Sequence, residues 1–337
     1  MYRPKVFISQ WMPPIGVDMI RQYCDVDYYN GTTPLSKQDF ISRAKEADAL
    51  LIFMCDTIDG QIVQSIPNVR VISSFGKGYD NIDVTACTAQ NILVTINPDA
   101  LTDSTADIAI GLILSLARNI LPSDSSIRSG KFNGWHATNF LGRDFHHSRL
   151  GIIGFGAIGQ AIARRAKGFD TEICYYDVVR QTAAEQELGA VYKPLEELLN
   201  QSDFLVVAVN LQPDTIHLLS RNELQQVKPG SFLINISRGS IVDEQAVAEA
   251  LDDGRLQGYA ADVFEFEDRM VPQRPSYIPS SLLEMREKTV FTPHIGTGTI
   301  EARERLAVSS ANQLLAALHG QIPSGAVNRV NPPKLLP

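Results

Sequence analysis

Residues 150–159 read Leu-Gly-Ile-Ile-Gly-Phe-Gly-Ala-Ile-Gly: an apolar run that passes into glycines at 154, 156 and 159 and then into a helical pattern reaching Lys167. A strand that feeds a helix through such a turn needs the first glycine for the bend. The second lets a pyrophosphate approach the backbone, and the third lets the helix pack on the strand. The helix N-terminus adds unpaired amides and the positive end of a dipole. The next apolar run, Glu172-Ile-Cys-Tyr-Tyr-Asp177, ends in a carboxylate 18 residues after Gly159, the position suited to the hydroxyls of an adenosine ribose. Gly154, Gly156, Gly159 and Asp177 together point to a dinucleotide site.

Outward from this stretch, short apolar runs alternate with helix-like segments, which predicts parallel sheets with crossover helices. One series is Lys5–Ser9, Ala49–Met54, Val69–Ser73 and Ile92–Thr95, and it lacks a glycine-rich phosphate loop. The other starts at Leu150 and runs through Glu172–Asp177, Phe204–Val209, Ser231–Ile236, Leu256–Ala261 and Val290–Thr292. Leu101–Asn119 reads as a long helix connecting the two, and Thr299–His319 as a second long helix returning to the first. Phe266–Glu287, charged and proline-containing, reads as a long loop with one short helix. The expected fold is α/β: two doubly wound parallel-sheet, Rossmann-like domains with a cleft between them, residues 1–100 plus 298–337 and residues 101–297.

Length and composition agree with this. At about 150 residues per domain, 337 residues suggest two, and 44% hydrophobic with 20% charged residues is the profile of a globular chain. A net charge of −8 disfavours nucleic acid and anionic membranes as partners, so a small anionic substrate must be held by a few placed cations. Cys24, Cys55, Cys87 and Cys174 are scattered, without metal-ligand spacing, which predicts no metal site and fits a reducing cytoplasm. The longest apolar stretch, Ile108–Ala117, falls short of the ~18 residues that span a bilayer.

Three segments at the ends of later strands carry chemistry: Asn235-Ile-Ser-Arg-Gly239, Asp262-Val-Phe-Glu-Phe-Glu-Asp268 and Thr292-Pro-His-Ile-Gly296. Ligands of open α/β sheets sit beyond the carboxyl ends of the strands, where Arg238, Glu267 and His294 would meet. A histidine beside a carboxylate suits general acid/base work, and an arginine offers a planar fork to an oxyanion. Taken singly, each has a plainer reading: a capping histidine, a surface ion-pair partner and a solvated loop charge.

These three segments, together with Gly76-Lys-Gly-Tyr-Asp-Asn-Ile-Asp83 and the 154–159 motif, resemble in order and spacing the D-isomer-specific 2-hydroxyacid dehydrogenase superfamily, from about residue 45 to 320. The resemblance implies a substrate-binding domain from the chain ends, an NAD domain in the middle, a homodimer, and a catalytic set of Arg238, Glu267 and His294. It implies nucleotide contacts at Thr105, Phe155, Ala157, Ile158, Asp177, Val209, Asn210, Thr215, Ile236, Ser237, Arg238, Asp262, His294 and Gly296. Glu267 stands where formate dehydrogenases of the superfamily have glutamine, which disfavours that activity.

Lys77 lies between two glycines where most members carry a small or apolar residue. With Phe53-Met54, residues 128–135 and residues 258–268, it makes the chain resemble the phosphonate (phosphite) dehydrogenases. That narrower resemblance implies that Lys77, Gly78 and Arg238 bind the substrate anion while Met54 and Trp135 shape its pocket. Two positions depart from it: Leu141 replaces the tyrosine of a Phe-Tyr-Gly, and Asn210 replaces a proline. The expected activity is NAD-dependent oxidation of phosphite to phosphate. The alternative is a D-2-hydroxyacid dehydrogenase or reductase of glyoxylate or hydroxypyruvate. A nicotinamide-sensing corepressor-like protein is a third reading, disfavoured by the short tail after His319.

Overall fold

The structure, a computed structural model, describes residues 2–331, 333, 335 and 336. The chain divides into two compact units, Met1–Leu101 with Thr297–Pro337 and Thr102–Gly296.

The first unit is built on β1 (Lys5–Ile8), β2 (Asp25–Tyr28), β3 (Ala49–Ile52), β4 (Val71–Ser74) and β5 (Leu93–Thr95). All pairings are parallel, in the order β2-β1-β3-β4-β5. β3 and β4 are buried along their whole length, as parallel strands covered on both faces must be. The Ile300–Leu318 helix packs on β4 and on the Pro14–Arg21 helix. A polar clasp joins it to the sheet: the buried Asn97 donates through Nδ2 to Ser74 O (3.0 Å) and to Ser310 Oγ (2.8 Å). A broken clasp leaves buried groups unsatisfied, at about 1–3 kcal/mol each.

The second unit carries β6 (Arg149–Ile153), β7 (Glu172–Tyr176), β8 (Val191–Tyr192), β9 (Phe204–Val207), β10 (Ser231–Asn235), β11 (Leu256–Ala261) and β12 (Thr289–Phe291). They form one parallel sheet in the order β12-β11-β10-β9-β6-β7-β8. Strand order reverses at β6, the first strand of the unit, with β9 on one side and β7 on the other; a crevice at such a switch point takes ligands.

Both sheets are the α/β, Rossmann-like kind expected from the alternating runs. Two strands escaped the sequence reading. β2 is an edge strand of alternating exposed and half-exposed residues, and β8 is only Val191–Tyr192. The helix expected over Leu101–Asn119 is Thr102–Ala117, which begins where the second unit begins and packs within it on the Ala157–Ala166 helix and β11. The chain breaks at Asn119 (φ 51°) into a further helix, Ile120–Arg128, that has no buried residue. Among the described residues, no single helix is long and apolar enough to cross a membrane.

Candidate active site

β6 ends at Ile153, and Gly154 turns the chain with φ 95°, where a side chain would be strained and its Cβ would lie 2.7 Å from the Ala208 backbone. Gly159 seats the Ala157–Ala166 helix on this turn, since a Cβ there would stand 2.2 Å from Gly154 O. Gly156 is different: nothing lies within 4 Å of its Cβ position, and the helix it begins has no side-chain cap. The first amides of that helix, at Ala157 and Ile158, have no intrahelical acceptor. Open space, unpaired amides and the positive end of a helix fit a pyrophosphate. Phe155 faces the other way. Its ring is buried and stacks on Tyr175 at 4.0 Å, and its amide donates to Asp177 Oδ2 at 2.7 Å. Asp177 Oδ1 accepts from Val179 N at 3.2 Å, and each oxygen keeps a lone pair for a ribose hydroxyl.

The other expected nucleotide residues gather at the carboxyl ends of β9 to β12. Val209 and Asn210 follow β9, and Thr215 Oγ1 donates to Asn210 O at 2.8 Å, closing that loop. The buried Ile236 follows β10, and the Ser237 hydroxyl donates to Val209 O, joining two strand-end loops. Thr105 is buried, its Oγ1 3.4 Å from the Cβ position of Gly296.

His294 has a left-handed backbone, φ 54°, unusual for any residue but glycine or asparagine. Asp262, 2% exposed, explains why the chain tolerates it. Its Oδ1 accepts from Thr292 Oγ1 (2.6 Å) and Ile295 N (2.8 Å), its Oδ2 from Gly296 N (2.7 Å), and its carbonyl from His294 N (2.8 Å). The loop is thus wound around one carboxylate. The imidazole meets a second: Glu267 Oε2 accepts from His294 Nδ1 at 2.8 Å, while Glu267 Oε1 accepts from Phe264 N at 2.7 Å. A carboxylate only accepts, so Nδ1 carries the proton and Nε2 is the nitrogen left for chemistry.

Arg238 arrives on a turn held by Asn235, whose Oδ1 accepts from Ser237 N (3.1 Å) and whose Nδ2 donates to Arg238 O (2.8 Å). Gly239 brings this turn against the segment bearing Glu267, since a Cβ on it would lie 1.8 Å from the Phe264 backbone. Three acids fasten the contact. Glu265 and Glu244 each accept from the other's amide at 2.9 Å, and Asp268 accepts from Ser240 N at 2.7 Å. His217 Nε2 donates to Glu265 Oε2 at 2.8 Å, and that bond, opposed by burial, raises the His217 pKa. Burial, with the charges of Glu265, Glu267 and Asp268 nearby, pushes the Glu244 carboxyl up to about 7. The sequence reading missed this bracing. An acid in the first turn of a helix, such as Glu244 after the capping Asp243, normally reads as a solvated dipole partner.

Of the remaining expected residues, Lys77, Gly78 and Met54 belong to the first unit. The loop after β4 is held by Ser74, whose Oγ accepts from Gly76 N at 3.3 Å, and by Asn97 N, which donates to Gly76 O at 2.9 Å. Met54 Sδ lies 3.6 Å from the Cβ position of Gly76. Burial lowers the Lys77 pKa, partly offset by Asp99. Trp135, in the second unit, is 85% exposed. It lies beyond the uncovered Ile120–Arg128 helix, where the chain has no core beneath it. Among the described residues no group of three or more His, Cys, Asp or Glu could hold a metal ion.

Residues 110–296 match the family described as D-isomer specific 2-hydroxyacid dehydrogenase, NAD binding domain. The chain belongs to this family. It is an NAD-dependent oxidoreductase, and the glycine turn, the uncapped helix end and Asp177 have the chemistry to hold a dinucleotide. The chain is 40% identical over 331 residues to a glyoxylate reductase of Thermococcus gammatolerans, covering 97% of this chain and 96% of that protein. A solved glyoxylate reductase from Paecilomyes thermophila superposes with TM-score 0.85 at 27% identity, covering 97% and 99% of the two chains. A D-lactate dehydrogenase from Aquifex aeolicus, solved with NAD and lactic acid, superposes with TM-score 0.84 at 25% identity and 99% coverage of both.

The bracing acids make stability depend on pH. A carboxyl whose folded pKa lies above its ordinary 4.5 favours the fold fully below that value and loses the contribution as pH rises through about 7. For Glu244 the loss is on the order of 3 kcal/mol. Glu244→Gln keeps the shape and cannot ionise. Thermal melts from pH 5 to 8 should show the wild type losing several degrees more than the variant, and parallel curves would contradict a neutral Glu244.

Proposed function

We propose that the chain is a reductase of small 2-keto acids, with glyoxylate the foremost substrate, and that it oxidises the matching D-2-hydroxy acids in reverse. The observation that carries the reading is the Glu267–His294 pair beside the Arg238 loop, in a chain 40% identical to proteins named for glyoxylate reduction. NADH supplies the hydride. The guanidinium of Arg238 forks the substrate carboxylate and presents the carbonyl carbon. His294, its Nδ1–H anchored on Glu267, takes up a proton from water on Nε2 and, as the imidazolium, gives it to the carbonyl oxygen as charge develops there, returning to the neutral Nδ1–H ring; in the reverse direction Nε2 takes the hydroxyl proton. Lys77 is proposed, on the strength of the family resemblance, as a further cation for substrate anions, and its lowered pKa reflects the removal of water from its ammonium. Phosphite oxidation has less support: it rests on Lys77 with Phe53-Met54 and residues 128–135 and 258–268, and the relatives bear a different name.

Purified protein offered NADH with glyoxylate or hydroxypyruvate, and separately NAD with phosphite, distinguishes the readings. Brisk NADH consumption with glyoxylate and none of the phosphite reaction is expected; reduction of NAD by phosphite alone would overturn the proposal. Lys77→Ala should raise KM for glyoxylate about tenfold or more, the value of one charge-assisted contact, with NADH affinity unchanged.

Homodimer formation, implied by the family resemblance, gains support from the second unit alone. Its Ile120–Arg128 helix and the segment after it expose Ile120, Leu121, Ile127, Phe132, Trp135 and Leu141, an unusual number of large apolar side chains on one stretch of chain, of the kind that association covers. Sedimentation should give twice the chain mass, and Ile127→Glu with Leu141→Glu should give monomers. A wild-type monomer at micromolar concentration would exclude the dimer.

A further inference from the structure

The turn after β7 reads Asp177-Val-Val-Arg-Gln181, so Arg180 is its one cation. An arginine near this strand end is the group that receives the extra phosphate of NADP, whereas an acid there receives the ribose hydroxyls of NAD. This chain has both, three residues apart.

The arginine is already engaged. Its Nε donates to Glu185 Oε1 at 2.8 Å and its Nη2 to Glu185 Oε2 at 3.0 Å, a two-pronged fork. Its guanidinium also lies 5.9 Å from the ring centroid of Tyr192. The fork is anchored from below. Tyr175 Oη donates to Glu185 Oε1 at 2.7 Å and accepts from Gln181 N at 2.8 Å, fixing both the acid and the backbone next to Arg180. Tyr175 is the ring on which Phe155 of the glycine turn stacks. Arg180 itself is 61% exposed and Glu185 only 15%, so the acid is the fixed partner and the arginine the movable one. The fork in turn holds the Glu185 carboxyl below its ordinary pKa.

We propose that Glu185 is a positioning residue for dinucleotide choice: by gripping Arg180 it withholds from a 2′-phosphate the one cation of the turn, and so supports Asp177 in favouring NAD over NADP. The inference rests on the dinucleotide site at the 154–159 turn. A phosphate competing for Arg180 must break two charge-assisted hydrogen bonds, and what remains beside it is the repelling carboxylate of Asp177.

The test is calorimetric binding of NAD and NADP to the full chain without substrate, so that turnover plays no part. The wild type should bind NAD more tightly. Glu185→Gln should strengthen NADP binding about fivefold, the scale of an exposed charge-assisted contact, and leave NAD within about twofold. Adding Arg180→Ala to that variant should erase the gain. Tyr175→Phe, which removes only the hydroxyl that aims Glu185, should move the ratio in the same direction by less. An unchanged ratio in Glu185→Gln, or in Tyr175→Phe if the first variant does not fold, overturns the proposal. So does a gain that survives loss of Arg180, since removal of a negative charge would then suffice. Wild-type protein that binds neither dinucleotide would instead contradict the cofactor site itself.

Discussion

Asp262 is the point on which the proton-handling geometry depends. Its side chain takes three hydrogen bonds and its carbonyl a fourth, all from residues 292–296, and this closes a loop in which His294 adopts a left-handed backbone. Such a conformation costs of order 1–3 kcal/mol and persists only where the surroundings over-determine it. The buried carboxylate would be costly on its own, and its three side-chain partners remove that cost. Loop and acid therefore hold each other in place. This contact decides where the imidazole stands, and Glu267 then decides which nitrogen holds the proton.

The strand ends around it are organised by the same economy. Gly239 admits the backbone of Phe264 and Glu265 to a distance no side chain would allow, and the Glu244–Glu265 exchange of amide bonds ties the two segments on the far side. Arg238 and Glu267 thus ride on one braced element rather than on independent loops. Acids this close repel when ionised, and a neutral Glu244 lets them pack. The arrangement combines a charged pair at the surface of the site with a partly protonated support beneath it.

Much of this was legible in the sequence. The glycine spacing at 154–159 located the switch-point strand β6, and the acid ending the next run located Asp177, because both follow from backbone geometry that few residues satisfy. Interior strands such as β9 and β10 stand out as buried apolar runs. β2 and β8 do not, since edge strands keep a solvated side and lose the apolar signal. His294 and Glu267 were legible as candidates, yet their pairing is a tertiary fact: 27 residues separate them, and only the parallel register of β11 and β12 brings the two loops together. Glu244 was illegible, because nothing local distinguishes a buried neutral acid from a solvated one. Lys77 drew the substrate expectation toward phosphite, although a cation in a glycine loop states only that an anion is wanted.

Glu267 fixes the tautomer of His294. Glu267→Gln probes this assignment, because the amide has one oxygen for two donors, Phe264 N and His294 Nδ1. With the oxygen kept by Phe264, the amide N–H₂ faces Nδ1 and drives the ring proton to Nε2, so the neutral ring no longer has a free Nε2 to take up and pass on a proton. Steady-state glyoxylate reduction should fall by about 10²- to 10⁴-fold, with NADH affinity by direct binding unchanged and the ¹⁵N spectrum of the imidazole showing the exchanged tautomer. Turnover within about twofold of wild type, with Nδ1 still protonated, would show that Glu267 does not set the tautomer.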